Sequence, residues 1–181
     1  MPPVDGSRGR AGGGSILERI EQRYGVPGPV LVAIWGLETD YGVNQGKFST
    51  IRSLATLAYD CRRSEKFRTE LLDALRIIER GDLTSSEMIG AWAGEIGQTQ
   101  FLPSSYLSFA VDFDGNGHRD LIHSPPNALA STANYLKTFG WTRDQPWMQG
   151  SANFDALQKW NDSEVYAKTV AYFAIRLEKE P

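Results

Sequence analysis

The chain has 181 residues, 41% hydrophobic and 23% charged, enough for one globular domain with a sizeable core. A formal net charge of −3, with no long run of Lys or Arg, argues against nucleic acid or an anionic membrane as partner. Cys61 is the single cysteine, which excludes an intrachain disulfide, and no apolar stretch is long enough to span a bilayer.

Residues 1–15 read as a flexible leader, with Gly12-Gly13-Gly14-Ser15 of linker composition. From there the pattern is helical almost throughout. Ser15 and Glu18 fit a capping box that opens a short helix, with Ile16, Leu17 and Ile20 inward and Gly25 as its end. Pro29 suits the first turn of the next helix, which Gly42 and Gly46 close off into a loop. Ser49 or Thr50 starts a third helix through Ala58. Ser64 caps a fourth, with Phe67, Leu71, Leu75 and Ile78 at helical spacing and Gly81 as its stop. Thr84 and Glu87 repeat the capping-box signature. Gly90 to Gln100 reads as a loop or broken helix, Pro103 opens a helix to about Val111, and 112–126 is a polar loop. Helices follow at 127–139, ended by Gly140, then near 154–159 and at 163–179. No sustained alternation and no internal repeat is present, so the class is mainly α.

Glu38 is the residue that carries chemistry. Leu31, Ile34, Trp35 and Glu38 fall at i, i+3, i+4 and i+7, on one face of a helix. A carboxylate on an apolar face is costly to ionise, and a place near a helix C-terminus adds to that cost. A carboxyl kept protonated near neutral pH is what a general acid for glycosidic cleavage has to be. A buried structural carboxylate is the plain alternative. For a second carboxylate, Asp40 is two residues on, turned by about 200° and so facing away. Glu95 reads as an exposed loop carboxylate, and Trp35 and Trp92 as core.

The segment Asp112-Phe113-Asp114-Gly115-Asn116-Gly117-His118-Arg119-Asp120 follows the opening of an EF-hand loop. Asp112, Asp114 and Asn116 supply side-chain oxygens and His118 a backbone carbonyl. The late bidentate Glu is replaced by His123, with Asn127 as a possible substitute donor. A structural, weakly held Ca2+ is one reading. An Asx-rich loop stabilised by its own hydrogen bonds is the other.

Several blocks recur in a fixed order: Ile34-Trp35-Gly36-Leu37-Glu38-Thr39 with Gly42, then 94–106 (Gly-Glu-Ile-Gly-Gln-Thr-Gln-Phe-Leu-Pro-Ser-Ser-Tyr), the 111–118 loop, Ala133-Asn134-Tyr135-Leu136, Gly140-Trp141, and Trp160-Asn161 with Ser163 and Tyr166. In these, from about Tyr24 to Leu177, the chain resembles the lytic murein transglycosylases of the membrane-bound B type, including their soluble forms. The resemblance implies a lysozyme-like catalytic domain over 16–181, carrying the EF-hand-like loop. It implies non-hydrolytic cleavage of the β-1,4 bond between N-acetylmuramic acid and N-acetylglucosamine, leaving 1,6-anhydromuramoyl ends. It also implies Glu38 as the single acid/base, with Gln100, Tyr135, Asn161 and Tyr166 lining the cleft. No cofactor is implied for catalysis. The expected partners are peptidoglycan glycan strands, met by a monomer in the periplasm or cell envelope. Ala91 departs from the pattern, standing where some members have a serine. Rival readings are a hydrolytic muramidase on the same fold, a non-catalytic peptidoglycan-binding module and a calcium sensor.

Overall fold

The computed structural model describes residues 14–179, so residues 1–13 of the leader expected at 1–15 lie outside the described residues. The helices are α1 (Ile16–Tyr24), α2 (Gly28–Thr39), α3 (Thr50–Tyr59), α4 (Ser64–Glu79), α5 (Pro103–Phe109), α6 (Pro125–Thr138), α7 (Ala152–Trp160) and α8 (Glu164–Lys179). Two short strands, β1 (Phe48–Ser49) and β2 (Ile89–Gly90), pair antiparallel, with Phe48 opposite Gly90 and Ser49 opposite Ile89. The pair is too short to show alternation in the sequence. Among the described residues no helix is long and apolar enough to cross a membrane.

Local chemistry explains most element ends. Ser15 accepts from the Glu18 amide and Glu18 reaches back to the Ser15 amide, so the capping box forms. Pro29 sits in the first turn of α2. Ser124 caps α6 two residues earlier than the sequence suggests, because Pro125 and Pro126 are both tolerated in a first turn. Thr84 and Glu87 do exchange their capping hydrogen bonds, but they close an isolated turn that leads into β2.

Helix α4 departs from the expected pattern. Ser64 is its first residue, not its cap, and Arg63 at the cap makes no side-chain bond. The buried face is Phe67, Glu70, Asp73, Ala74 and Ile77, while Leu75 is 47% exposed. The reason is Glu70. Its carboxylate accepts from the Ser104 amide (2.9 Å) and hydroxyl (2.7 Å), so α4 supplies the cap that α5 lacks at Leu102. That polar anchor rotates the helix away from its purely apolar register.

Two buried clusters result. One is built on α1, α2, α6, α7 and α8, with Leu31, Ile34, Leu136, Leu157 and Ala171 among its members. The other joins α3, α4 and α5 to the 83–121 segment through Leu54, Ile77, Met88, Ile96, Phe101 and Tyr106. Helix α2 is buried at Val30, Leu31, Ala33 and Ile34, which is more than one stripe and suits a central helix. Tyr135 and Trp160 pack against both clusters and mark the seam between them.

Candidate active site

A cleft of about 450 Å³ opens at this seam, lined by Glu38, Glu95, Gln100, Tyr135, Trp160 and Asn161 among others. Glu38 enters it from the next-to-last position of α2. Asp40 has left the helix, in a left-handed conformation (φ 52°), and points to solvent. It is therefore removed from the site by the helix end rather than by helix rotation.

Two donors converge on one oxygen of Glu38. The Tyr166 hydroxyl donates to Oε1 at 2.6 Å and the Trp160 indole N–H at 3.1 Å. Oε2 makes no hydrogen bond among the described residues. Burial pushes the Glu38 carboxyl above its ordinary range; the Tyr166 and Trp160 hydrogen bonds pull it back, and the charge of Glu95 pushes it up again. The position near the α2 C-terminus acts in the same direction as burial. Burial also raises the Tyr166 hydroxyl, which stays a donor.

The loop between β2 and α5 forms the opposite wall. Thr39, at the end of α2, donates to the Gln98 carbonyl at 2.5 Å and accepts from the Gly42 amide at 2.9 Å, tying the loop to the acid's own helix. Backbones stack tightly there. A Cβ on Gly90 would lie 1.9 Å from the Glu95 carbonyl oxygen, and one on Gly46 2.1 Å from that of Gly90. The Ala91 amide bonds the Glu95 carbonyl at 2.9 Å, which fixes Glu95 where it lines the cleft. Glu95 is thus not an exposed loop carboxylate: it is half-buried, and its Oε2 is buried without a hydrogen-bond partner.

The structure brings Gln100, Tyr135 and Asn161 to the cleft wall, while Tyr166 reaches Glu38 from behind it. Gln100 has φ 55°, and its amide N–H group donates to the Gly97 and Gln45 carbonyls, bracing the loop. Tyr135 donates to the Lys159 carbonyl at 2.6 Å and packs edge-on to Phe101 and Trp160. Asn161 ends α7 and accepts from the Ser163 amide at 3.0 Å. Ala91 places a methyl group in the wall. Sequence reasoning gave no role to Trp160, although it stands beside Asn161 in a quoted block. The sequence also reads Trp92 as core, whereas Trp92 is 67% exposed at the cleft edge because the tight Gly90–Glu95 turn throws it outward. Trp35 does pack on the first cluster.

The 112–120 loop is curled by its own amides. Asp112 accepts from Gly115, Asn116 and Gly117, and those bonds, Gly117's first, hold its carboxyl below the usual range. Asp114 accepts from Ser124, and Asn116 from the His118 amide. Asn127 is buried at the base of α6; its oxygen accepts from the Phe113 and Asp114 amides and its N–H group donates to the His118 carbonyl. That makes Asn127 a brace for the loop rather than a free donor to a cation, and His123 pairs with Asp120. Among the described residues no group of three His, Cys, Asp or Glu is placed to hold a metal. Asp112, Asp114 and Asn116 remain oxygen donors of the type Ca2+ prefers.

The transglycosylase SLT domain family matches residues 5–151. The chain belongs to this family. Membrane-bound lytic murein transglycosylase B of Escherichia coli (strain K12) is 41% identical over 128 residues, 70% of this chain and 35% of that protein. The SLT-domain chain thus spans about a third of that relative's length. SltB3 from Pseudomonas aeruginosa, solved with NAG-anhNAM-pentapeptide, superposes with a TM-score of 0.86 at 37% identity, over 91% of this chain and 60% of SltB3. Escherichia coli Slt35, solved with calcium, gives 0.82 at 29% identity, over 91% of this chain and 70% of Slt35. The lysozyme-like, mainly helical class of this SLT domain follows from these matches.

Proposed function

We propose that this SLT domain is a peptidoglycan lytic transglycosylase that cuts the β-1,4 bond between N-acetylmuramic acid and N-acetylglucosamine without water, with Glu38 as its single acid/base. The observation that carries the reading is Glu38 itself: a half-buried carboxyl, raised by burial, with Oε1 pinned by Tyr166 and Trp160 and Oε2 left for the substrate. Protonated Glu38 gives its proton to the glycosidic oxygen as the bond to C1 breaks. The resulting carboxylate is stabilised by the same two donors. It then takes the proton of the muramoyl C6 hydroxyl as that oxygen bonds to C1. Acid and base are one group, nothing is added, and the proton returns to Glu38. The attacking hydroxyl belongs to the substrate, so its effective concentration is high. Gln100, Tyr135 and Asn161 offer hydrogen-bonding groups and an apolar ring face suited to a sugar strand.

A hydrolytic muramidase is the second reading, supported by Glu95 as a second carboxylate in the same cleft. Mass spectrometry of digested cell walls separates the two: anhydro ends are lighter by one water than reducing ends. Wild type is expected to give anhydro ends and Glu38→Gln none. Reducing ends alone would favour the muramidase, and undiminished digestion by Glu38→Gln would remove Glu38 from the mechanism. We also propose that Asp112, Asp114, Asn116 and the His118 carbonyl hold Ca2+ weakly, as a structural ion with no part in the reaction.

A further inference from the structure

The cleft does not end at Trp92. The same exposed ring borders two further grooves, of about 320 and 400 Å³, neither of them lined by Glu38. Leu57 of α3 lines both, and Phe48, 47% exposed, forms an apolar edge of the larger. Lys47 and Arg52 line one groove; Arg62 and Arg63 line the other, with Asp60 as the only carboxylate in either lining. Asp60 is already occupied by Arg62, at 2.6 Å. Among the described residues, the side chains of Lys47, Arg52 and Arg63 make no ion pair or hydrogen bond. A chain of net charge −3 therefore gathers uncompensated positive charge around an exposed aromatic ring, in continuity with its candidate cleft.

N-acetylglucosamine carries no charge, and a muramoyl residue whose lactyl carboxyl is amide-linked to a peptide carries none on the sugar itself, so the glycan of a peptide-bearing strand gives this surface nothing to select. A peptide hanging from a muramoyl residue does, since at neutral pH it bears at least its C-terminal carboxylate. We propose that the grooves flanking Trp92 form a subsite for the anionic peptide attached to the sugar held in the cleft, with Lys47, Arg52 and Arg63 meeting its carboxylates and Trp92 and Leu57 its apolar side chains. The identity of the occupant rests on the peptidoglycan reading above; the charge and the continuity of the surface do not. Exposed cations act here as a set, each weak and screened by salt.

The test uses Lys47→Gln/Arg52→Gln/Arg63→Gln, all surface substitutions outside the cleft. On peptide-bearing glycan strands KM is expected to rise about fivefold or more with kcat unchanged, an effect that fades in high salt. On the same strands stripped of peptide by an amidase, each muramoyl residue keeps one lactyl carboxylate, close to the sugar in the cleft rather than in the grooves, and variant and wild type are expected to match. No change on peptide-bearing strands, or an equal change on stripped ones, overturns the subsite. A second arm needs no cleavage: calorimetry of a muramoyl pentapeptide against Glu38→Gln, with and without the three charge substitutions. Weaker binding in the substituted protein supports the subsite even if wild type were to cut nothing, the result that would sink the transglycosylase reading instead. Equal binding overturns it. Phosphatidylglycerol vesicles form the last arm; their charge-dependent binding in place of the peptide's would reassign the surface to lipid.

Discussion

Tyr166→Phe and Glu95→Gln should move the activity of this domain along the pH axis in opposite directions. The Tyr166 hydroxyl sits 2.6 Å from Glu38 Oε1 and favours the ionised carboxyl. Removing it raises the Glu38 pKa further, so the alkaline limb of kcat/KM moves to higher pH. A hydrogen bond to a charged group is worth about 1.5–3 kcal/mol, and this one is strongest once Glu38 has given up its proton. The loss in kcat/KM at neutral pH should therefore be about ten- to a hundredfold, mostly in kcat. Glu95 acts with the other sign. Its charge disfavours ionised Glu38, so the neutral isostere lowers the Glu38 pKa and the limb moves to lower pH. The assay is turbidity clearance of purified cell walls across pH for the wild type and both variants. Limbs that move together, or do not move, refute the picture of an acid balanced between a donor and a like charge.

Further consequences concern stability. The raised Glu38 carboxyl confers stability that is fully present below its unfolded value of 4.5 and lost as pH rises through the folded one, so Glu38→Gln should flatten the fall of Tm between acid and neutral pH, read by calorimetry. Gly90→Ala should abolish soluble, active protein, since the added Cβ would meet the Glu95 carbonyl oxygen at 1.9 Å; wild-type expression and clearance would contradict the stacking. Glu70→Ala should cost about 1–3 kcal/mol in urea unfolding, because the Ser104 amide loses its partner at the start of α5. Calcium should raise the Tm of wild type but not of Asp112→Asn, and an unmoved wild-type Tm removes the metal proposal.

The helices were legible where local chemistry decides them. Ser15 with Glu18, Pro29 and Gly25 act within a few residues of themselves, and their geometry follows from side-chain reach alone. The departures come from distant partners. Leu75 belongs to a fair apolar stripe, but Glu70 is drawn inward by Ser104, 34 residues away. Thr84 and Glu87 form their box with no helix behind it, because β2 pairs with β1 at once. The site divides in the same way. Glu38 stands out on its own helix, and the quoted blocks led to Gln100, Tyr135, Asn161 and Tyr166. The Trp160–Glu38 bond spans 122 residues, and no spacing encodes it. Glu95 and Trp92 owe their orientations to a turn whose tightness is set by two glycines in separate segments.

Trp160 and Tyr135 pack against both cores, so the seam is held by side chains that the two clusters share. If the halves part, an indole wedged between them cannot follow both. Trp160 and Glu38 both ride on helices of the first cluster, α7 and α2, so their bond lies within one half and a parting of the seam falls on the second core. One side chain thus serves both the packing of the seam and the hydrogen bonding of Glu38.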